Sequence, residues 1–431
     1  MQRSASALVA LIAGIGAAAS AIAATVPAAP PVPGWLPCEY TLTVIEPPDV
    51  GWGSEYLFFN DANDHMVAVG RLMLGSPGEV PILWSEEQGV VILPSPPGFG
   101  GGTARRINNN GWILVWAATS SAVHSFIYIP QGDGTYEIVT LPPQYVTGTI
   151  YAMDINDHNQ VVGKFQFLVR GTTTLKWAGF RWEPNGEGLQ WYQVPGWSAT
   201  VCEGINNAGV IVGAVGPSNS AGPSSAGARA FVDDGGAVTI VEPEAPWTRT
   251  HSARISESGL AACVAWKPPL GGAPSLSNPA IVEPGAAKPI VIPPPDGWVR
   301  WGIVNGGRLT AREMAGAAVT NDNINWKPAI FVDRQVVMLS DIIVDSPIPL
   351  LGGVRPLGRD GTAFVEFNGK MHMFRPVLGD PDFNCDGVVD AQDLAILLDC
   401  WGTPALAADL NGDGIVDGAD LGILLNAWSA R

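Results

Sequence analysis

Two twelve-residue stretches near the C-terminus repeat one arrangement of side-chain oxygens. In the first, Asp382, Asn384, Asp386, Asp390 and Asp393 stand at positions 1, 3, 5, 9 and 12; in the second, Asp409, Asn411, Asp413, Asp417 and Asp420 do. Position 7 adds a main-chain carbonyl, from Val388 and from Ile415, and Gly387 and Gly414 occupy position 6. A hard cation of calcium's size takes about six to eight oxygens, this spacing supplies them, and the glycine permits the sharp turn that wraps the loop. These residues are the expected ligands of two calcium ions. A merely solvated acidic tail has no reason to place a glycine and four carboxylates twice in register.

Each loop runs into an apolar segment, Leu394 to Trp401 and Leu421 to Trp428, whose Leu and Ile spacing suits a helix packed on its twin, and the repeat offset is 27 residues. Loop plus one helix, duplicated, with Asp at position 12, resembles a type I dockerin domain over residues 380 to 431. The resemblance implies a small all-α, EF-hand-like unit that plugs, when calcium-loaded, into a cohesin-like domain on a scaffold or cell surface. Cellulosomal dockerins carry Ser or Thr at positions 10 and 11 and basic residues along the helix. Here those positions are Ala391-Gln392 and Gly418-Ala419, with no Lys or Arg between 376 and 430. A calcium unit that binds no partner is the other reading.

Self-similarity organises the long central part. A turn recurs as Ala62-Asn63-Asp64, Ile107-Asn108-Asn109-Asn110-Gly111, Ile155-Asn156-Asp157, Ile205-Asn206-Asn207-Ala208-Gly209 and Ile255-Ser256-Glu257-Ser258-Gly259, with degenerate copies at Val304-Asn305-Gly306 and Leu357-Gly358-Arg359-Asp360-Gly361. The intervals are 45, 48, 50, 50, 49 and 53 residues. Each turn precedes a short apolar run such as Val161-Val162-Gly163, a hairpin signal in which Asn, Asp and Gly tolerate positive φ. A third strand follows, as in Gly179-Phe180-Arg181-Trp182, then a fourth running into proline, as in Thr239-Ile240-Val241-Glu242-Pro243. The last unit stops at its third strand, whereas Thr41 to Pro48 has the fourth-strand pattern and precedes unit one. The spacing therefore predicts a mainly β fold, a seven-bladed β-propeller over 40–375 whose N-terminal strand closes the last blade. The Ile-Asn-x-x-Gly-x-Val-Val-Gly turn with its Phe-x-Trp strand resembles the secreted bacterial HAF repeats. Together with a terminal dockerin-like module, it resembles exported proteins of planctomycete-type bacteria.

The chain opens on Met1-Gln2-Arg3 and an Ala-rich apolar run containing Ala21-Ile22-Ala23, the pattern of a signal peptide over 1–23. A linker is expected over 24–39, a second over 376–379, and no transmembrane span after cleavage. Net charge is −17, of which −9 falls in 380–431, with ten Asp against one Arg. No basic track for nucleic acid is visible, and the acidity opposes one. Among five cysteines, Cys385 and Cys400 are the expected bridge, because the residues 27 further on are Gly412 and Ala427. Cys202 and Cys263 are a second candidate pair, leaving Cys38 alone.

The propeller shows no nucleophile elbow, phosphate loop or zinc motif. A recurrent aromatic after the proline strand, Trp52, Phe99, Tyr145, Trp197, Trp247 and Trp298, either packs between blades or stacks on a glycan at the mouth. His65 and His158 read as exposed turn residues. Glu203, Glu183 and Asp154 are carboxylates available for acid–base work, but spacing pairs none of them, and catalytic residues stay unassigned. The expected function is that of an exported, non-catalytic recognition or display protein, docked to a partner through calcium. The alternatives are a polysaccharide-degrading hydrolase or lyase carried on the propeller, and a structural cell-envelope component.

Overall fold

The structure is a computed structural model. It describes residues 39–429 apart from 52–55, 76–77, 142–148, 187, 219–226, 268–275, 299, 304–314, 322–324, 333–334, 344–345, 347, 359, 385 and 404–406. The chain divides into two compact units, one running Thr41–Arg375 and the other containing Pro376–Arg431.

The larger unit is a seven-bladed propeller: seven four-stranded sheets, each antiparallel pair following its hairpin. The first strands of successive blades are β2 (Tyr56–Ala62), β6 (Thr103–Ile107), β10 (Ile150–Ile155), β14 (Ala199–Ile205), β18 (Arg249–Ile255), β22 (Arg300–Ile303) and β26 (Val354–Leu357). Six of them, β26, β2, β6, β10, β14 and β18, neighbour one another in turn and so lie innermost. Strand β1 (Tyr40–Ile45) pairs with β28 (Lys370–Pro376), so the seventh sheet takes its outermost strand from the other end of the propeller chain. The expected closure by the N-terminal strand is what is found. Ile45 seals it, buried with Leu57, Phe364, Met371 and Met373.

Apolar residues at alternate strand positions fill the spaces between blades, each cluster drawing on two neighbouring sheets. Where the sequence repeats Val-Gly, the glycine is fixed by close approach. A Cβ on Gly70, Gly163 or Gly213 would lie 1.9, 2.0 and 2.0 Å from the carbonyl oxygens of Phe58, Tyr151 and Val201. Cys202 and Cys263 are buried free thiols in different blades, on β14 and on β19 (Ala261–Lys267). The candidate bridge between them is therefore not formed, because each thiol is spent on the apolar packing of its own inter-blade cluster. The Cys385–Cys400 expectation involves residue 385, and the signal peptide and Cys38 fall within 1–38; these lie outside the described residues.

The turn asparagines do more than tolerate a tight bend. In the third blade, Asn156 Oδ1 accepts the N–H groups of His158 (3.1 Å) and Gln160 (3.0 Å). Its Nδ2 donates to the Asn206 carbonyl of the next blade at 2.9 Å. Asn63, Asn108 and Asn206 reach Asn108, Asn156 and Ser256 in the same way, at 3.2, 2.9 and 3.1 Å. Positive φ falls three residues later, at Met66, Gly111, Asn159, Gly209 and Gly259. The repeated motif is thus a circumferential ladder across five blades.

Among the described residues there are three helices: α1 (Leu339–Ile342) in the propeller, and α2 (Ala391–Asp399) and α3 (Gly418–Asn426) in the smaller unit. Both long helices begin three residues before the apolar segments that predicted them. The cause is a capping box. Asp390 and Asp417 accept the N–H groups of Gln392 and Ala419, while Asp393 and Asp420 reach back to the cap backbone. Phe383, Leu397, Val416, Leu421 and Leu424 form the small core beneath.

Candidate functional site

The duplicated loops of the smaller unit are closed by their own carboxylates. Asp393, buried, accepts from Phe383 (2.7 Å) and Asn384 (3.2 Å) on one oxygen and from Asp390 (2.8 Å) on the other. Asp420, equally buried, accepts from Asn411 (3.1 Å) and Asp417 (2.8 Å). Asp382 and Asp409 each accept the N–H of the position-6 glycine, Gly387 at 2.7 Å and Gly414 at 2.8 Å. Those glycines have φ of 81° and 97°, the left-handed region that the loop requires. The amides of Asn384 and Asn411 donate to Asp386 and Asp413, and the N–H groups of Val388 and Ile415 donate to the same two carboxylates. Positions 1, 3, 5 and 12 are thereby tied into one network in each loop.

Burial raises the Asp393 carboxyl above its ordinary range, and the charge of Asp382 adds to the rise. Among the described residues no group of three or more His, Cys, Asp and Glu is gathered as a ready metal cage. The donors on offer are of mixed kind, because Asn384, Asn411 and the carbonyls of Val388 and Ile415 stand beside the carboxylates. An all-oxygen, carboxylate-rich set in a loop that turns on glycine fits a hard divalent cation by position and chemistry.

Residues 380–427 match the family model described as the dockerin type I domain. This segment is a type I dockerin domain. Domains of this kind bind calcium and imply a cohesin-type protein as partner. No curated protein matches the chain in sequence. The propeller is similar to solved structures only at low identity. They include the Dos1 propeller (9% identity over 71% of this chain and 75% of that one, TM-score 0.36). The acylaminoacyl peptidase of Pyrococcus horikoshii (10%, 75% and 52%, 0.46) and the virginiamycin B lyase of Staphylococcus aureus (8%, 79% and 100%, 0.39) are others. So distant a likeness bears on no residue and no activity of this chain.

The sequence-selected aromatics of the propeller divide. Phe99, Trp197, Trp247 and Trp298 pack against inter-blade clusters, while Trp52 and Tyr145 lie outside the described residues. His65 and His158 are exposed at their turns. The three acids each face a cation. Asp154 lies 3.5 Å from Arg106, Glu183 joins Arg181, and buried Glu203 holds Lys164 at 2.8 Å with Arg254 at 3.8 Å. Burial acts to raise the Glu203 carboxyl, but Lys164, Arg254 and His251 together hold it below its ordinary value. Glu203 is therefore an ionised anchor.

A second assembly, which sequence reasoning missed, follows from a β-bulge. In each of the first four blades the innermost strand shifts register before its turn, at Asn60, Arg105, Met153 and Glu203. Arg105 lies over the Trp116 ring at 4.4 Å. Trp116 meets Tyr151 at 4.8 Å, Tyr151 meets Trp177 at 6.0 Å, and the Lys164 ammonium sits 5.8 and 5.9 Å from those last two rings. The row is pinned by the Trp116 indole N–H, which donates to the Ala152 carbonyl at 2.8 Å. The one signal in the sequence was Arg105-Arg106, two cations in a strand otherwise built to be buried.

Proposed function

We propose that this is an exported, non-catalytic recognition protein whose dockerin domain binds two calcium ions, one per loop, and docks the chain to a partner in a calcium-dependent way. The ligands are Asp382, Asn384, Asp386, the Val388 carbonyl, Asp390 and Asp393 in one loop, and Asp409, Asn411, Asp413, the Ile415 carbonyl, Asp417 and Asp420 in the other. The supporting observation is the capping box that merges with each loop. The residues at positions 9 and 12 are also the helix N-cap and N3, so ligand placement and helix start are one structure. Metal binding then contributes directly to folding of the domain. With no Lys or Arg between 376 and 430, docking rests on apolar contact, for which exposed Ile423, Leu425 and Trp428 are available. The propeller, 40–375, is the displayed part, and residues 1–23 are read as the signal for export. Among the described residues no helix is long and apolar enough to cross a membrane.

Calorimetric calcium titration of the full chain tests the reading. Two sites are expected, falling to one in Asp386→Ala and one in Asp413→Ala, and to none in the double variant. A wild-type chain that takes up no calcium would overturn it.

A further inference from the structure

Among the described residues, Arg105 is a cation with no anion bonded to it. Its close partner is the Trp116 ring. The charges that reach it are all positive, from Arg106, Arg254, Arg71 and Arg355. Burial and this like-charge crowding lower its pKa to about 10. Of the surrounding cations, Arg106 is matched by Asp154, Arg71 by Glu79 at 2.9 Å, and Lys164 and Arg254 by Glu203. The crowding sits inside a chain whose net charge is −17, so it is local and built by the bulge on β6. Half-buried rings continue from it across the second and third blades: Trp116, Tyr151 and Trp177.

We propose that the propeller binds an anionic saccharide across its second and third blades, the acidic group held by Arg105 on an innermost strand and successive sugar rings meeting Trp116, Tyr151 and Trp177. A planar guanidinium bonds carboxylate and sulfate alike through two parallel N–H groups, and it is already oriented by stacking. The rings are set at angles, Trp116 to Tyr151 at 67° and Tyr151 to Trp177 at 32°, so they can meet separate pyranoses of a bent chain on the faces that Arg105 and Lys164 leave open. The polar groups flanking the row, Lys164 and Glu203, are bonded to each other at 2.8 Å. Uronate and sulfated sugars share the required chemistry. This site belongs to the propeller and needs no calcium.

The test is fluorescence and calorimetric titration of the full chain with oligogalacturonate, sulfated dextran fragments, neutral dextran and inorganic sulfate. A chelator is present throughout, so that failure leaves the docking reading untouched. Saturable binding of at least one acidic oligosaccharide is expected, with quenching of tryptophan, weakening as salt rises, and none with neutral dextran. Whichever of the two binds names the acidic group. Arg105→Met should weaken binding at least tenfold, with Arg105→Lys in between. Should Arg105→Met fail to fold, Trp116→Phe replaces it, with an expected threefold or greater loss. Binding of neither acidic probe, equal binding of neutral dextran, inorganic sulfate matching the oligosaccharides, or affinity unaffected by these variants would each overturn the proposal.

Discussion

Asn156 does two jobs with one side chain. Its oxygen holds the N–H groups of its own turn, and its amide nitrogen bonds the next blade. Replacing it with Ala strands two part-buried N–H groups and opens the ladder, so Asn156→Ala should cost about 2–4 kcal/mol in urea unfolding. Blade five shows a partial substitute: the Ser256 hydroxyl accepts from Leu260 at 3.0 Å. Asn156→Ser should therefore cost less than Asn156→Ala. Equal losses would mean that the inter-blade bond alone matters. Sequence reading found this residue by its repetition, and read it as a turn former. Its reach to the Asn206 carbonyl was hidden, because nothing local records which carbonyl lies across the inter-blade gap.

The second strand of a blade lies so close to the first that some positions admit no side chain. Gly163 faces the Tyr151 carbonyl, and a Cβ there would also lie 2.6 Å from the Phe180 ring. Gly163→Ala must push two strands apart or displace a buried ring, and should destabilise by at least about 3 kcal/mol. Gly100, where a Cβ would meet nothing within 4 Å, is the matched control, and its Ala variant should leave the thermal midpoint unchanged. A small effect at Gly163 would show that the strand pair can shift.

On the proposed reading, calcium acts on the dockerin unit. With the metal removed, four carboxylates per loop repel one another, and the helices that start from two of them lose their anchor. Hydrogen exchange on the full chain should show amide protection lost over 391–399 and 418–426 on chelation, while the propeller strands keep theirs. Unchanged protection in α2 and α3 would mean that the capping boxes suffice without metal.

Local pattern carried the number of blades, the closing strand and the dockerin segment. A fifty-residue period, a strand pattern missing at one end and present at the other, and two loops of twelve residues in one repeat are all sequence-near relations. The helix starts were legible to within a turn, and were displaced by Asp390 and Asp417 serving as caps. Three things came only with the folded chain. Cys202 and Cys263 proved to sit in separate packing clusters, Glu203 proved to be neutralised by two cations, and Arg105 proved to lie on Trp116 amid other arginines. Each depends on side chains from strands far apart in sequence, and on a bulge that turns one residue out of register. Alternation along a strand says which side is apolar; only the closed ring decides which charges meet at its centre.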